Sequence, residues 1–294
     1  MLISQKIEDL IRNSFDSGNS IGKFLLKEQG NVEDYTMCQI ADMTFTSQAS
    51  LVRFAKKLGY RGWTDFIKAF VKETKYFESR VTDVDFNYPF TKADSTEEIA
   101  CKTALIRREA NRDTLSLIKT GDLRKAVKII KESRRVLICG ASLNNIIAQL
   151  FQYKMLRIGK NVENIARDEQ PFLAYNLGAS DCVIMISYSG NSAERIPTSM
   201  LNMLKERKVP VIGITSMGDN LLRRMADCTF TISSRENLYS KISSFATEES
   251  IELILDILYS CYFAMDYDRH LEIKKEMSRQ IERRRVSVIR RQED

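Results

Sequence analysis

The apolar residues of this chain follow two different rhythms. Up to about Phe77 they recur at helical spacing, as at Ile3, Ile7, Leu10 and Ile11, and again at Ile21, Phe24 and Leu25, with Gly18, Asn19 and Gly30-Asn31 as breaks. Cys38 to Met43 reads as a short helix and Thr44-Phe45-Thr46 as a tight turn. Ser47 to Leu58 reads as a second helix, with Ser47 suited to cap its start and Gly59 to end it. One more helix, about Thr64 to Phe77, carries Phe66, Ile67, Phe70 and Val71. From Glu78 to Ser95 the period is lost and Asp83, Asp85, Asn87, Pro89 and Asp94 accumulate, as in a linker. Helices are expected again from about Thr96 to Thr120 and from Asp122 to Glu132.

Beyond Arg134 strand-length apolar runs alternate with helical patterns. The runs are Arg135–Cys139, Val162–Ile165, Cys182–Ser187, Val209–Thr215 and Cys228–Ile232. The helices between them are Asn145–Ile158, Pro171–Leu177, Ala193–Glu206 and Asn220–Met225. Five strands joined by helical crossovers predict a doubly wound parallel sheet. The segment Ala246–Met265 is apolar nearly all round, so it is expected to be buried within this domain or against a second copy of it. The chain therefore divides into an all-α domain (1–77), a linker with a lead-in helix (78–106), an α/β domain (107–270) and a charged tail (271–294), which reads as a fraying helix.

Charge sharpens this division. The net charge is +6, and Ser47–Lys75 holds seven basic residues against two acidic ones, while Leu271–Asp294 holds eight against five. Positive charge thus collects toward the two ends, and nucleic acid is the first partner to consider for the first patch. In the mixed tail a solvated face is the simpler reading. The six cysteines are scattered without a Cys-x-x-Cys pair, three of them inside strand-like runs, which suits buried thiols in a reducing compartment rather than disulfides or zinc. A single histidine, His270, leaves metal sites and histidine-based catalysis poorly supplied, and no metal or cofactor is expected. No apolar run approaches a membrane span and no signal-like stretch opens the chain, so the cytoplasm is the expected compartment, with no membrane partner.

Two short helices about a tight turn, the second of them basic, make a helix-turn-helix candidate. With Leu51, Phe54, Ala55 and Leu58 facing inward, Gln48, Ala49, Ser50 and Arg53 lie on or near the outer face, where they can reach base edges and phosphates. A solvated helix in an ordinary bundle remains the alternative. In the α/β half, two strands end in hydroxyl- and glycine-bearing turns, Gly140-Ala141-Ser142 and Ser187-Tyr188-Ser189-Gly190-Asn191-Ser192. Backbone N–H groups and neutral hydroxyls at the carboxyl ends of parallel strands suit an anion of phosphate size.

These motifs together resemble the RpiR family of bacterial transcriptional regulators, which join an N-terminal helix-turn-helix to a sugar isomerase (SIS) domain. The likeness runs through Ile40-Ala41-Asp42, Ser47 to Phe54, Lys56-Lys57-Leu58-Gly59-Tyr60 and Gly62-Trp63. It resumes at Gly140-Ala141-Ser142, Asp181 and Ser187 to Ser192. The resemblance implies a regulator of carbohydrate metabolism that binds operator DNA as a homodimer or dimer of dimers and senses a phosphosugar. Carried over by position, Ser142, Ser187, Ser189 and Ser192 would hold the phosphate, with Asn191 lining the loop. Ser47, Gln48, Ser50 and Arg53 would belong to the DNA-reading helix, with Lys56 and Lys57 beside them. The chain departs from the pattern at Phe45, where the family often has glycine, at Ser192, where threonine is common, and at Pro197, which removes an early helical N–H bond. The rival readings are a phosphosugar isomerase, for which Glu169, Glu194 and Glu248 are the carboxylates at hand, and a phosphosugar-binding module that acts on another protein.

Overall fold

The computed structural model of the chain describes residues 3–13, 17–78 and 84–281. Among the described residues five α-helices form the N-terminal domain: α1 (Ile3–Asn13), α2 (Ser17–Glu28), α3 (Met37–Met43), α4 (Gln48–Lys57) and α5 (Trp63–Glu78), with a 3₁₀ helix at Gln29–Asp34 between α2 and α3. Its core is organised around Phe66 of α5, whose ring lies 5.8 Å from Phe54, 5.5 Å from Tyr60, 5.3 Å from Trp63 and 5.9 Å from Phe70. Aromatic pairs at such separations add to the burial energy and fix orientation, so α4 is clamped to α5 along one face. At the far end of α5 the buried Glu73 carboxylate accepts the N–H groups of Ile3 and Ser4, at 2.8 and 2.9 Å, and so caps α1 from a distance.

The turn between α3 and α4 is stapled by Thr44, whose hydroxyl donates to the Ile40 carbonyl at 2.7 Å and pairs with the Thr46 hydroxyl at 2.9 Å. Thr46 N–H reaches the Ala41 carbonyl at 2.8 Å. Closing the turn this way puts Phe45 at φ 54°, where a glycine would sit without cost, and leaves its ring 97% exposed. Ser47 caps α4 and Gly59 stops it at φ +93°, as expected.

The second domain begins with α6 (Thr96–Leu117) and α7 (Thr120–Glu132). It continues as β1 (Val136–Cys139), α8 (Leu143–Leu156), β2 (Val162–Glu163), α9 (Gln170–Tyr175), β3 (Cys182–Ile186), α10 (Leu201–Glu206), β4 (Val211–Thr215), α11 (Leu221–Met225) and β5 (Cys228–Thr231). It closes with α12 (Phe245–Ala264) and α13 (Tyr267–Ile281). The five strands are all parallel in the order β2-β1-β3-β4-β5. β1, β3 and β4 are buried along their whole length, which explains why they read as unbroken apolar runs. Ala126, Ile147, Phe151, Ile254 and Leu258 from α7, α8 and α12 cover one face, and Ala174, Leu201, Leu204 and Leu222 from α9, α10 and α11 cover the other.

The predicted strands are all present, although β2 shrinks to two residues at the sheet edge. The helix expected from Ala193 is the clear error: it starts only at Leu201, after Pro197 and a 3₁₀ turn at Thr198–Met200. α12 packs against α6, α7 and α8 of its own domain. α6 runs unbroken through residues 106 and 107, the expected domain boundary, and buries Ile106 and Ala110 beside Ala246 of α12. The tail is helical to Ile281, and residues 282–294 lie outside the described residues.

Cys139, Cys182 and Cys228 are buried in strands, where burial pushes the Cys182 thiol up to about 11 and the Cys228 thiol up to about 12. Cys38 on α3 and Cys101 on α6 are exposed. Among the described residues no helix is long and apolar enough to cross a membrane and no cluster of metal-binding side chains occurs.

The exposed, positive-φ Phe45 yields a direct prediction. Phe45→Gly relieves the backbone without removing a packed ring, so the helical domain should gain roughly 0.5–1 kcal/mol. Trp63, the single tryptophan, reports that domain's urea transition, and a lowered midpoint would contradict the expectation.

Candidate functional site

β1 and β3 are neighbours in register, with Cys139 beside Met185, and the chain leaves β1 for β2 on one side and reaches β3 on the other. This is the topological switch point of the sheet, the place where open parallel sheets form a crevice at their carboxyl ends. Both predicted turns leave the sheet there, side by side.

The first turn is tight because α8 comes close to the strand end. A Cβ on Gly140 would lie 2.8 Å from Asn144 Cβ, nearer than real side chains approach. Ser142 then takes φ 51° and ψ −124°, a conformation that L-residues rarely adopt, with an exposed side chain. Such strain costs of order 1–3 kcal/mol and persists where the surroundings over-determine it, commonly at functional sites. Buried Gln170 at the start of α9 donates to the Gly140 carbonyl at 2.9 Å and holds the turn from below.

The second turn is built against α11. Gly190, at φ +60°, leaves no room for a side chain: a Cβ would meet Asn220 Oδ1 at 2.5 Å and Thr215 Oγ1 at 2.7 Å. Thr215 donates its hydroxyl to the Tyr188 carbonyl at 3.2 Å, and Asn220 donates its amide to Thr215 at 3.0 Å. The Gly190 carbonyl and Asn191 Oδ1 accept the N–H groups of Leu222 and Leu221, at 2.9 and 3.1 Å. Asn191 therefore anchors the turn onto α11 through its side-chain oxygen. Ser187 Oγ accepts the Gly190 N–H at 3.2 Å and Ser192 Oγ accepts the Arg195 N–H at 3.1 Å, so each oxygen is held while its hydroxyl proton remains to donate. Ser187, Ser189 and Ser192 are half-buried.

The sequence pattern placed a helix start at Ala193, directly after this turn. That reading is corrected, because residues 193–197 are irregular and α10 begins only at Leu201, so the backbone N–H groups beside the serine hydroxyls are those of the turn itself. Thr215, Asn220 and Gln170 were missed. Asn220 carried a legible signal as the capping residue before Leu221-Leu222, and it does cap α11 through Arg223 N–H at 2.9 Å. Of the carboxylates considered for isomerase chemistry, Glu169 and Glu194 are exposed. Glu248 lies in the first turn of α12, with its carboxyl raised by burial and then by Glu236. His270 sits on α13, its Nδ1 2.9 Å from the Phe263 carbonyl.

In the N-terminal domain Ser47, Gln48, Arg53, Lys56 and Lys57 are exposed and Ser50 is half-buried. Ser50, Arg53 and Lys57 follow one another along a single stripe of α4, opposite the buried Leu51, Phe54 and Ala55. The Arg53 guanidinium donates to Ser50 Oγ at 3.2 Å, and Ser50 Oγ in turn lies 3.0 Å from Ser47 Oγ. α3, the turn and α4 thus present a basic, hydroxyl-bearing helix on a rigid support.

Residues 1–75 match the model of the helix-turn-helix domain of the rpiR family, and residues 129–252 match the SIS domain. The chain belongs to the RpiR family. A relative from Providencia stuartii, an HTH-type transcriptional regulator in the aarA 3' region, is 25% identical over 93% of this chain and 95% of its own. The NanR protein of Vibrio vulnificus, solved in complex with ManNAc-6P, shares the fold with a TM-score of 0.61 at 18% identity, over 97% of this chain and all 100% of that one. The sugar isomerase domain of an RpiR transcription factor from Sphaerobacter thermophilus matches 62% of this chain and 99% of its own, with a TM-score of 0.52 at 17% identity. The RpiR chain described here is thus a helix-turn-helix regulator type with a SIS domain.

Crowding at Gly190 sets the prediction for this site. Gly190→Ala should cost at least ~2 kcal/mol from the clash and the positive φ combined. Gly178→Ala, whose methyl would meet open space, should be close to neutral, and equal midpoints for both in far-ultraviolet denaturation would refute the packing described.

Proposed function

We propose that this protein is a cytoplasmic, DNA-binding regulator of carbohydrate metabolism whose SIS domain senses a phosphosugar. The observation that carries the reading is the pairing of two hydroxyl-bearing turns at the switch point of the sheet, in a chain that also carries an RpiR-type helix-turn-helix. Ser142 on one side and Ser187, Ser189 and Ser192 on the other would donate to the phosphate, while Asn191 fixes the second turn. Neutral donors suit a dianion that must bind and leave, since hydrogen bonds to a charged acceptor are strong without a permanent counter-charge. The NanR protein's complex with ManNAc-6P supports a phosphorylated sugar as the effector class. α4 would read operator DNA, with Gln48, Ser50 and Arg53 near the bases and Ser47, Lys56 and Lys57 on the backbone. We favour regulation over isomerase activity because the helix-turn-helix has no use in an isomerase and the single histidine lies outside the sheet.

Two recognition helices on one operator require two copies, and α8 supports where they would meet. Leu143, Ile146, Leu150 and Tyr153 are 41%, 60%, 48% and 59% exposed along one stripe of that helix. Its only charged residue, Lys154, is paired with Asp256, so a second copy of the same face would meet no like charge. The α8 stripe begins one residue after Ser142, which ties the proposed dimer contact to the proposed effector turn.

Fluorescence anisotropy on the DNA upstream of the protein's own gene, at two salt concentrations and with a phosphosugar panel, tests the regulator. Affinity should fall with salt by about 0.9 log units per log unit for each phosphate neutralised. Ser189→Ala should abolish the phosphosugar response and keep basal DNA binding, whereas Arg53→Ala should weaken DNA binding and leave effector affinity unchanged. Equal loss of both functions in either variant would refute this separation, and turnover between aldose and ketose phosphates would restore the isomerase. For the dimer, Ile146→Glu should sediment as a monomer; an unchanged oligomer would place the contact elsewhere.

A further inference from the structure

Residues 84–88 follow the N-terminal domain and would be free chain if they served only as a tether. Instead they dock on residues 235–245, the strap that leads from β5 to α12. Val84 and Phe86 are buried in a small cluster with Ile106, Ala110 and Ala246, and the Arg235 guanidinium lies 4.2 Å above the Phe86 ring. Asn87 is held from both its ends: its Oδ1 accepts the Asn237 N–H at 2.6 Å and its carbonyl accepts the Ile242 N–H at 2.9 Å. The Tyr88 and Ser240 hydroxyls pair at 2.6 Å. Asp85 shapes the segment by accepting the N–H groups of Asn87 and Tyr88, at 2.7 and 3.1 Å.

The other side of the strap is tied to the serine turn. Tyr188, between Ser187 and Ser189, donates its phenol proton to the Glu236 carbonyl at 3.2 Å, and its ring centroid lies 5.9 Å from Lys241 Nζ. Lys241 pairs with the buried Glu236 carboxylate at 3.0 Å. That carboxylate also caps α12, accepting the N–H groups of Ala246 and Thr247, at 2.6 and 3.3 Å, and the Thr247 hydroxyl at 2.7 Å. One short segment thus touches the proposed effector turn, the start of the longest helix of the sheet's cover, and the only described chain leading to the DNA-reading domain.

We infer that the 235–245 strap is the coupling element of this protein, and that Tyr188 and Asn87 are its positioning residues on the effector side and the linker side. Ordering Ser187–Ser192 around an anion fixes Tyr188, Tyr188 fixes the strap, and the strap selects the docked position of residues 84–88. Linkage makes the effect reciprocal: a docked linker pre-organises the serine turn. The regulatory reading of this device rests on the function proposed above, but the coupling itself does not.

The experiment therefore has one arm without effector. Amide hydrogen exchange of the full-length protein reads Asn237 and Ile242, the two donors to Asn87. Tyr188→Phe keeps the ring and removes the phenol's bond to the Glu236 carbonyl, at a distance from the linker. It should speed exchange at both amides by at least about 5-fold, the lower end of common coupling strengths. Asn87→Ala should in turn speed exchange at Gly190, whose N–H closes the serine turn. Changes confined to the mutated side in both variants would overturn the inference. In the second arm Asn87→Ala should still bind the active phosphosugar of the panel by calorimetry, more weakly than the parent by about the same factor of 5, and fail to transmit it to operator affinity. A full operator response in Asn87→Ala would also overturn it. If no phosphosugar binds the parent, the proposed function fails and the exchange arm alone decides the coupling.

Discussion

The in-register pairing of β1 with β3 is the constraint on which the α/β domain depends. Both strands are buried on both faces, so neither can slip without carrying a full row of apolar side chains out of register with its cover. Once Val136–Cys139 lies beside Cys182–Met185, the two turns must leave the sheet at the same edge. Their separation is then set by strand spacing rather than by loop flexibility. The crowding at Gly140 and Gly190 completes the constraint, because α8 and α11 press against the strand ends and leave each turn a single shape. The proposed site of neutral hydroxyls would need this rigidity, since it has no strong charge with which to organise a mobile loop around a ligand.

The N-terminal domain solves a related problem with aromatic rings. Phe66 touches residues of α4, α5 and the segment joining them, so the orientation of the basic helix is fixed from beneath. Its outer face is then free to carry Gln48, Arg53, Lys56 and Lys57 without any of them contributing to the core. The exposed basic face and the core-facing side thus occupy opposite sides of the same ten-residue helix.

Features governed by local chemistry were legible in the sequence. Ser47 and Gly59 bracket α4 because capping and left-handed termination depend on a few neighbouring residues, and the five strands announced themselves as apolar runs. The positions of the serine turns followed from the strands. The late start of α10 was partly legible through Pro197, but the irregular path of residues 193–197 depends on contacts with Thr198 and on packing that has no period. The anchoring of Asn191 on α11 joins residues thirty positions apart, and nothing in either segment alone reports it. The strap was invisible for the same reason: Arg235 to Ser244 has neither helical nor strand rhythm, and its order comes from Asn87, Tyr188 and the cap of α12.

The distribution of thiols gives the molecule a built-in pair of handles. Cys139, Cys182 and Cys228 are sealed in the sheet, and burial raises their thiol pKa values, which suppresses the thiolate that alkylating reagents need. Cys38 is open to solvent on α3 of the helix-turn-helix domain, and Cys101 is open to solvent on α6 of the SIS domain. With half-buried Cys261 replaced by serine, a donor and an acceptor dye would attach one to each domain. The natural chain thus nearly carries its own spectroscopic ruler across the linker, with no cysteine to be introduced.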